Sequence, residues 1–191
     1  MKTERAMIAG IDCLISEPDV VNAGTETIDC LHGIGGDDAS FEPQQALADQ
    51  YRVVVWNMPG YKESVVVNSL SFEVLSGTLA RFIAELDVGA VHLVGQSIGG
   101  MIAQEAYYQF PESIKSLILV ATTAAFGGRD DSFKDAFLQA RLKPLDSGMS
   151  MQQVAANAMP GIVGKNTEPH IIEAAVNSCL LYTSPSPRDR G

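Results

Sequence analysis

One serine stands at a position from which its hydroxyl could act as a nucleophile. Residues 95–99 read Gly-Gln-Ser-Ile-Gly and join a short apolar run, typical of a buried strand, to a segment with helical spacing. So tight a turn strains the backbone of Ser97, and Gly95 and Gly99 remove side chains that would clash across it. The following helix presents its free amides and positive dipole end to the same spot. The pattern predicts a serine nucleophile; a purely structural turn is the alternative.

A glycine-rich loop at residues 31–36, Leu-His-Gly-Ile-Gly-Gly, follows another predicted strand. Glycines let a backbone come close to a bound molecule, so this loop is a second candidate for the site. A turn that merely joins a strand to a helix is the alternative. We expect His32 to anchor the loop by hydrogen bonding rather than to act as a base. His92 lies inside a strand pattern, and we interpret it as structural.

The segments around these motifs alternate between strand and helix patterns. Helical spacing predicts one helix over residues 72–86 and another over residues 98–110, with Pro111 beyond its end. The order predicts an α/β fold with a mostly parallel sheet flanked by helices, in which ligands bind at the carboxyl ends of the strands. The predicted strands are residues 6–15, 27–31, 51–56, 90–94 and 114–120.

Composition narrows the classes of function. The 191 residues include 13 Lys and Arg against 23 Asp and Glu, so the net charge of -10 repels nucleic acid and anionic lipid. No apolar run reaches the ~18 residues of a membrane-spanning helix. The cysteines form neither a disulfide framework nor a zinc spacing, and the glycine loop lacks a dinucleotide or P-loop pattern. We therefore expect a cytoplasmic protein with no metal, no organic cofactor, and neither nucleic acid nor membrane as a partner.

Residues 27–123 resemble the N-terminal core of the α/β-hydrolase superfamily, in its cap-bearing esterase and lactonase branch. Residues 31–36, 56–64 and 91–120 carry the resemblance, and the first two segments resemble 3-oxoadipate enol-lactonases most. The resemblance implies a serine hydrolase that cleaves small-molecule carboxylic esters or lactones with a Ser, acid and His triad. The implied site comprises the nucleophile Ser97, the elbow residues Gly95, Gln96 and Gly99, the oxyanion-hole amides of Ile34 and Ile98, and the oxyanion-loop residues His32, Gly33, Gly35 and Gly36.

The chain departs from the family pattern at two positions. Where the common motif D-x-P-G-x-G-x-S has an acid and a glycine, this sequence has Asn57 and Lys62. We interpret both departures as changes in loop support rather than in chemistry. Serine at the elbow, in place of aspartate, argues against the haloalkane dehalogenases and epoxide hydrolases of this fold. A non-catalytic, receptor-like ligand-binding protein and an acyltransferase or thioesterase remain as alternatives.

The resemblance also implies an acid and a histidine later in the chain. After a core over residues 1–127, residues 128–177 resemble the beginning of a helical cap, and no late strand pattern follows. His170, Asp130 and Asp131 are poor candidates, because a cap helix and a solvated loop are expected there. We expect the base and the acid to belong to a missing C-terminal part, and this fragment to be inactive as a hydrolase.

The last residues of the chain have a different origin in our interpretation. Residues 179–189 match the conceptual translation of a transposon-type sequencing adapter over eleven consecutive codons. A Ser/Pro-rich flexible linker is the alternative. We expect residues 178–191 to be a non-native tail.

Overall fold

The computed structural model of the protein describes residues 1–125 and 132–180. Short apolar runs form strands and amphipathic segments form helices, as the sequence predicted. The strands are β1 Lys2–Ile8, β2 Ile11–Glu17, β3 Thr27–Leu31, β4 Arg52–Trp56, β5 Val91–Gln96 and β6 Ile114–Val120. The helices are α1 Phe72–Leu86, α2 Ile98–Gln109, α3 Ser132–Asp146, α4 Met151–Ile162 and α5 Pro169–Leu180, with 3₁₀ segments at Asp38–Asp49 and Pro111–Ser113.

The six strands make one sheet in the order β1-β2-β4-β3-β5-β6. β3 pairs in parallel with β4 and β5, and β5 pairs in parallel with β6. β1 and β2 add an antiparallel hairpin at the β4 side. This mostly parallel sheet with helices around it confirms the predicted fold class.

The expected first strand at residues 6–15 is wrong, because the chain reverses in its middle. Ala9 and Gly10 have φ of 51° and 79°, a left-handed pair that makes a two-residue hairpin turn. Ile8 therefore lies opposite Ile11, and the two halves become β1 and β2. The alternation of apolar residues continues through the turn, so the pattern alone predicted one strand. Gly10 was the local signal for a turn between two strands.

In the first of two compact units, Met1–Ala124, strands β3, β4 and β5 are covered on both faces. On one face α1 and α2 pack over the sheet, and the rings of Trp56 and Phe82 lie 6.4 Å apart within that core. On the other face the 3₁₀ segment places Phe41 and Ala48 against Cys30, Val53 and Val55. Burial of these side chains supplies the main stabilising free energy of the unit.

The carboxyl ends of β3 and β5 lie side by side, with Leu31 paired to Gly95. The glycine-rich loop leaves the first strand and Ser97 follows the second, so parallel pairing brings the two sequence motifs together. The second unit, Ala125–Gly191, contains α3, α4 and α5, and α4 packs on α5. Among the described helices, none has both the length and the apolar character needed to cross a bilayer.

Candidate active site

Ser97 occupies a strained turn between β5 and α2. Its φ and ψ are 52° and -120°, a region that non-glycine residues adopt only when the surroundings enforce it. The neighbours of the serine are packed so closely that a Cβ on Gly95 would lie 2.5 Å from the Cα of Gly100. A Cβ on Gly99 would lie 2.2 Å from the carbonyl oxygen of Leu31. Both glycines are therefore required by contact, and Ser97 itself, like Gln96 beside it, is exposed at the top of the turn.

The glycine-rich loop lies directly against the serine. A Cβ on Gly33 would be 3.2 Å from the Cβ and 3.8 Å from the Oγ of Ser97. Residues 33–36 form a β-turn, in which the amide of Gly36 donates to the carbonyl of Gly33 at 3.0 Å and Gly35 has a φ of 75°. This is the geometry of a type II turn, which requires a residue such as glycine at its third position.

Two backbone amides beside the serine have no acceptor within the described residues. Ile34 is the second residue of the β-turn, and its side chain is largely exposed. Ile98 is the first residue of α2, where amides lack an intrahelical partner. Free amides next to an exposed serine hydroxyl are the groups that can stabilise an oxyanion.

His32 is a fixed support of the loop. The amide of Met58 donates to its Nε2 at 3.0 Å, so the proton is on Nδ1, which donates to the carbonyl of Gly33 at 2.8 Å. The ring is fully buried and packs against the ring of Tyr61, with centroids 4.9 Å apart and the planes tilted by 53°. Burial lowers the pKa of His32, which keeps the imidazole neutral. Both nitrogens are thus occupied by backbone groups, as expected for an anchor.

A cluster of charged side chains surrounds Asp37 and Asp38, the two residues that follow the glycine-rich loop. The Asp38 carboxylate accepts from Lys62 Nζ at 2.8 Å, from Asn57 Nδ2 at 3.1 Å and from Arg5 at 2.6 Å. Lys62 also lies 3.2 Å from Asp37. Burial would raise the pKa of Asp38, but the hydrogen bonds from Lys62, Asn57 and Arg5 outweigh it and hold the pKa below its ordinary value.

The same cluster extends to the β1–β2 hairpin. Arg5 donates to both oxygens of Asp12, at 2.9 and 2.8 Å, and Asn57 Nδ2 donates to Asp12 Oδ2 at 3.0 Å. Asn57 is fully buried between two carboxylates, which an aspartate at that position would repel. The two departures from the family motif, Asn57 and Lys62, therefore both bond to Asp38, which lies two residues after the glycine-rich loop, and Asn57 also bonds to Asp12 in β2.

Within the described residues, no imidazole bonds to the hydroxyl of Ser97. His92 Nδ1 pairs with Ser116 Oγ at 2.8 Å on the sheet, and its Nε2 lies 3.6 Å from Glu26. His170, in the second unit, is exposed and 3.2 Å from Glu168. Asp130 and Asp131 lie outside the described residues. In the ranges 1–125 and 132–180, no three His, Cys, Asp or Glu side chains are grouped to hold a metal ion.

A family model for the alpha/beta hydrolase fold matches residues 27–146. The chain belongs to this family. The resemblance seen in the sequence is thereby confirmed, and the matched range includes the glycine-rich loop, the Asn57 segment, the elbow and β6.

The curated relatives of this chain carry several activities in their names. It is 32% identical over 143 residues to the dihydrolipoyllysine-residue acetyltransferase component of the acetoin cleaving system of Cupriavidus necator, covering 69% of this chain and 38% of the relative. It is 33% identical over 102 residues to the pimeloyl-[acyl-carrier protein] methyl ester esterase of Aeromonas hydrophila, covering 53% and 39%. The chain thus spans about two fifths of the length of these relatives.

Solved structures share the fold. The esterase EaEST from Exiguobacterium antarcticum superposes with a TM-score of 0.75 at 17% identity, covering 94% of this chain and 68% of the esterase. The enol-lactonase from Burkholderia xenovorans superposes with a TM-score of 0.71 at 19% identity, covering 92% and 67%.

The structure brings most of the sequence-predicted site residues together. Ser97, its flanking glycines and the loop with His32 and Gly33 are neighbours across β3 and β5. Sequence reasoning missed the contacts of Lys62 and the role of Thr122, whose Oγ1 donates to the carbonyl of Ser97 at 2.6 Å. Two adjacent acids, Asp37 and Asp38, were a signal for a cation such as Lys62, whereas no local pattern marks Thr122.

Proposed function

We propose that the protein is a serine hydrolase of carboxylic esters or lactones, with Ser97 as its nucleophile. The observation that carries the proposal is the contact between the strained, exposed Ser97 and Gly33 of the turn that holds the free amide of Ile34. Strain of 1–3 kcal/mol is kept in folds mainly where it presents a reactive group. An elbow of this kind beside a glycine loop suits attack on a carbonyl carbon.

The proposed reaction proceeds through an acyl-enzyme. Ser97 Oγ attacks the substrate carbonyl, and a histidine takes the hydroxyl proton and returns it to the leaving alcohol. The tetrahedral oxyanion accepts hydrogen bonds from the amides of Ile34 and Ile98. Water then attacks the acyl group and releases the acid. One oxyanion donor contributes about 10² to 10³ in rate, equivalent to about 3–4 kcal/mol.

The proposal assigns the general base and the acid to residues outside this chain. The sequence has three histidines, and His32 and His92 are each held by contacts that exclude a bond to Ser97. Residues 1–127 would then be the N-terminal part of the core, residues 128–177 part of a helical cap, and residues 178–191 non-native. Re-amplification of the locus from source DNA tests this division. A genomic reading frame that encodes residues 178–191 unchanged would contradict the proposal that these residues are non-native.

Names of relatives support a small acyl substrate. A methyl ester esterase and an enol-lactonase are among the proteins similar to this chain. Acyl transfer is the second candidate, because the relative aligned over 143 residues is named as an acetyltransferase component. The two reactions share the acyl-enzyme and differ in whether water or another nucleophile accepts the acyl group.

The test uses the complete gene recovered from source DNA and three proteins: wild type, Ser97→Ala, and Ser69→Ala as a matched control at an exposed serine. A fluorophosphonate probe is expected to label wild type and Ser69→Ala, and p-nitrophenyl acetate to be hydrolysed by both. Ser97→Ala should show neither reaction. Absence of labelling and turnover in the wild type would exclude both enzyme candidates and favour the receptor-like alternative. Ester cleavage that rises in the presence of an added thiol or alcohol would favour acyl transfer.

A further inference from the structure

The segment after β6 closes over the elbow by three hydrogen bonds. The amide of Ser97 donates to the carbonyl of Val120 at 3.0 Å, and Thr122 Oγ1 donates to the carbonyl of Ser97 at 2.6 Å. Gln104 Nε2, on α2, donates to the carbonyl of Thr123 at 3.1 Å. The chain enters this contact through Ala121, which has a φ of 47° although it is not glycine. Ser97 and Ala121, the residues that follow β5 and β6, are thus both non-glycine residues with a positive φ.

The side chain of Thr122 is also fitted against α2. A Cβ on Gly100 would lie 2.6 Å from Cγ2 and 2.8 Å from Oγ1 of Thr122, and Gly100 is buried. Only glycine at position 100 leaves room for the threonine there. The hydroxyl therefore has a fixed place, which lowers the entropy cost of its hydrogen bond to Ser97.

The bond acts on the peptide unit that joins Ser97 to Ile98. No peptide in the described residues is cis, so the carbonyl of Ser97 and the amide of Ile98 point in opposite directions from one rigid plane. A donor on the carbonyl side fixes the tilt of this plane and so fixes the direction of the Ile98 N–H. A hydrogen bond to the carbonyl also polarises the amide and strengthens it as a donor.

We propose that Thr122 is a positioning residue for the oxyanion hole, which aims and polarises the Ile98 amide through the carbonyl of Ser97. The inference rests on the proposed function of Ser97 and adds to it a residue 25 positions away in sequence. The amides of Gly100 and Met101 also donate to this carbonyl, at 3.0 and 3.2 Å, but they belong to α2 itself. Thr122 is the donor that ties the plane to the segment after β6.

The test compares Thr122→Val, which keeps the shape and removes the donor, with Thr122→Ser, which keeps the donor. In the complete protein, Thr122→Val should lower the rate constant of fluorophosphonate labelling and kcat about tenfold with KM within about twofold, the cost of roughly one hydrogen bond. Thr122→Ser should stay within about threefold of wild type. Labelling of Thr122→Val at the wild-type rate, or equal losses in both variants, would overturn the proposal.

A second readout does not depend on catalysis. In the present chain, the ¹H and ¹⁵N shifts of the Ile98 amide should move in Thr122→Val and remain near wild type in Thr122→Ser. The amides of Gly100 and Met101 share the same carbonyl and should move with it, while the amides of α2 after Met101 keep their shifts. If the wild type is never labelled, the proposed function fails. The Ile98 chemical shifts then still test whether Thr122 positions this amide. An Ile98 amide that is unchanged in Thr122→Val refutes the proposal. Should Thr122→Val not fold, Thr122→Ala provides the donor-free variant.

Discussion

Gly33 and Ser97 are in contact across β3 and β5: a Cβ at position 33 would be 3.2 Å from the Cβ of Ser97. A methyl group at position 33 therefore requires the serine or the turn to shift by a few tenths of an ångström. A substitution of Gly33 thus acts on the site by displacing the nucleophile or the loop.

Gly33→Ala is expected to lower fluorophosphonate labelling of Ser97 in the complete protein by about tenfold. A displacement near 1 Å costs about 10²-fold in an active site, and the shift that this contact requires is smaller. The unfolding midpoint should fall little, because the serine that has to shift is exposed. Equal labelling in Gly33→Ala and wild type would contradict the assignment of this loop to the site.

Gly99→Ala and Gly77→Ala form a matched pair on stability. The new methyl at position 99 would meet the carbonyl oxygen of Leu31 at 2.2 Å, whereas nothing lies within 4 Å at position 77 in α1. We expect Gly77→Ala to raise the free energy of unfolding by about 0.5–1 kcal/mol through helix propensity. Gly99→Ala should lower it by more than about 2 kcal/mol. Urea unfolding followed by circular dichroism measures both, and similar effects at the two positions would show that the elbow is loosely packed.

Lys62→Met should destabilise the protein at neutral pH and much less in acid. The variant leaves Asp37 and Asp38 with one cation fewer, at a cost of roughly 1–3 kcal/mol for buried carboxylates. Since the folded pKa of Asp38 is lowered, its contribution to stability is present above the unfolded pKa and disappears as the pH falls through the folded value. The unfolding free energies of wild type and variant should therefore converge as the pH falls below the ordinary aspartate pKa of about 3.9 and through the lowered folded value.

Lys2→Met is the control for that experiment, because Lys2 pairs with Glu4 at the exposed end of β1. Exposed pairs contribute little to stability. Unfolding curves of Lys2→Met should overlie those of wild type at each pH. If Lys62→Met shows the same small effect, the charged cluster does not hold the loop.

Asp29 gives the protein a stability that falls with rising pH. The side chain is fully buried in β3, and both carboxylate oxygens lack a hydrogen bond of good geometry within the described residues. Burial raises the pKa of Asp29 to about 8, and the neighbouring Cys30 amide opposes this only in part. Between about pH 4 and pH 8 the folded state keeps a proton that the unfolded chain has released, so stability decreases by up to about 1.4 kcal/mol per pH unit.

Asp29→Asn, which cannot ionise, removes this slope. Its unfolding free energy relative to wild type should rise from pH 5 to pH 8 and level off above that value. Urea unfolding at four pH values is sufficient to measure the trend. Parallel pH profiles for the two proteins would mean that Asp29 is ionised in the folded state and has a partner.

The sequence allowed prediction of what is local. The elbow, the glycine-rich loop, α1 and α2 are continuous segments whose residue types restrict the backbone directly. The α/β order then predicts that β3 and β5 are parallel. Their pairing places Ser97 beside Gly33. The error at residues 6–15 has the opposite cause: alternation of apolar residues continues through a hairpin turn, so periodicity does not register the reversal at Ala9 and Gly10.

Contacts between distant segments were not predictable in the same way. Thr122 lies in the segment after β6 and Arg5 lies in β1, and neither belongs to a motif. Asn57 and Lys62 were recognised as departures, but their purpose depends on Asp38, a residue in another segment. Tertiary packing decides which distant residues come into contact, and the spacing of residues in a single sequence does not show these pairs.

β6 has consequences for the behaviour of this chain in solution. It pairs with β5 on one side, its other edge has no strand among the described residues, and the side chains of Ile118, Leu119 and Val120 are exposed. An apolar, unprotected edge can pair with the same edge of a second molecule. Charge repulsion opposes that pairing at neutral pH, where the net charge is -10, and vanishes near the isoelectric point of about 4.6. Concentrated samples should therefore remain dispersed in mildly alkaline, low-salt buffer and associate edge to edge as acid or salt removes the repulsion.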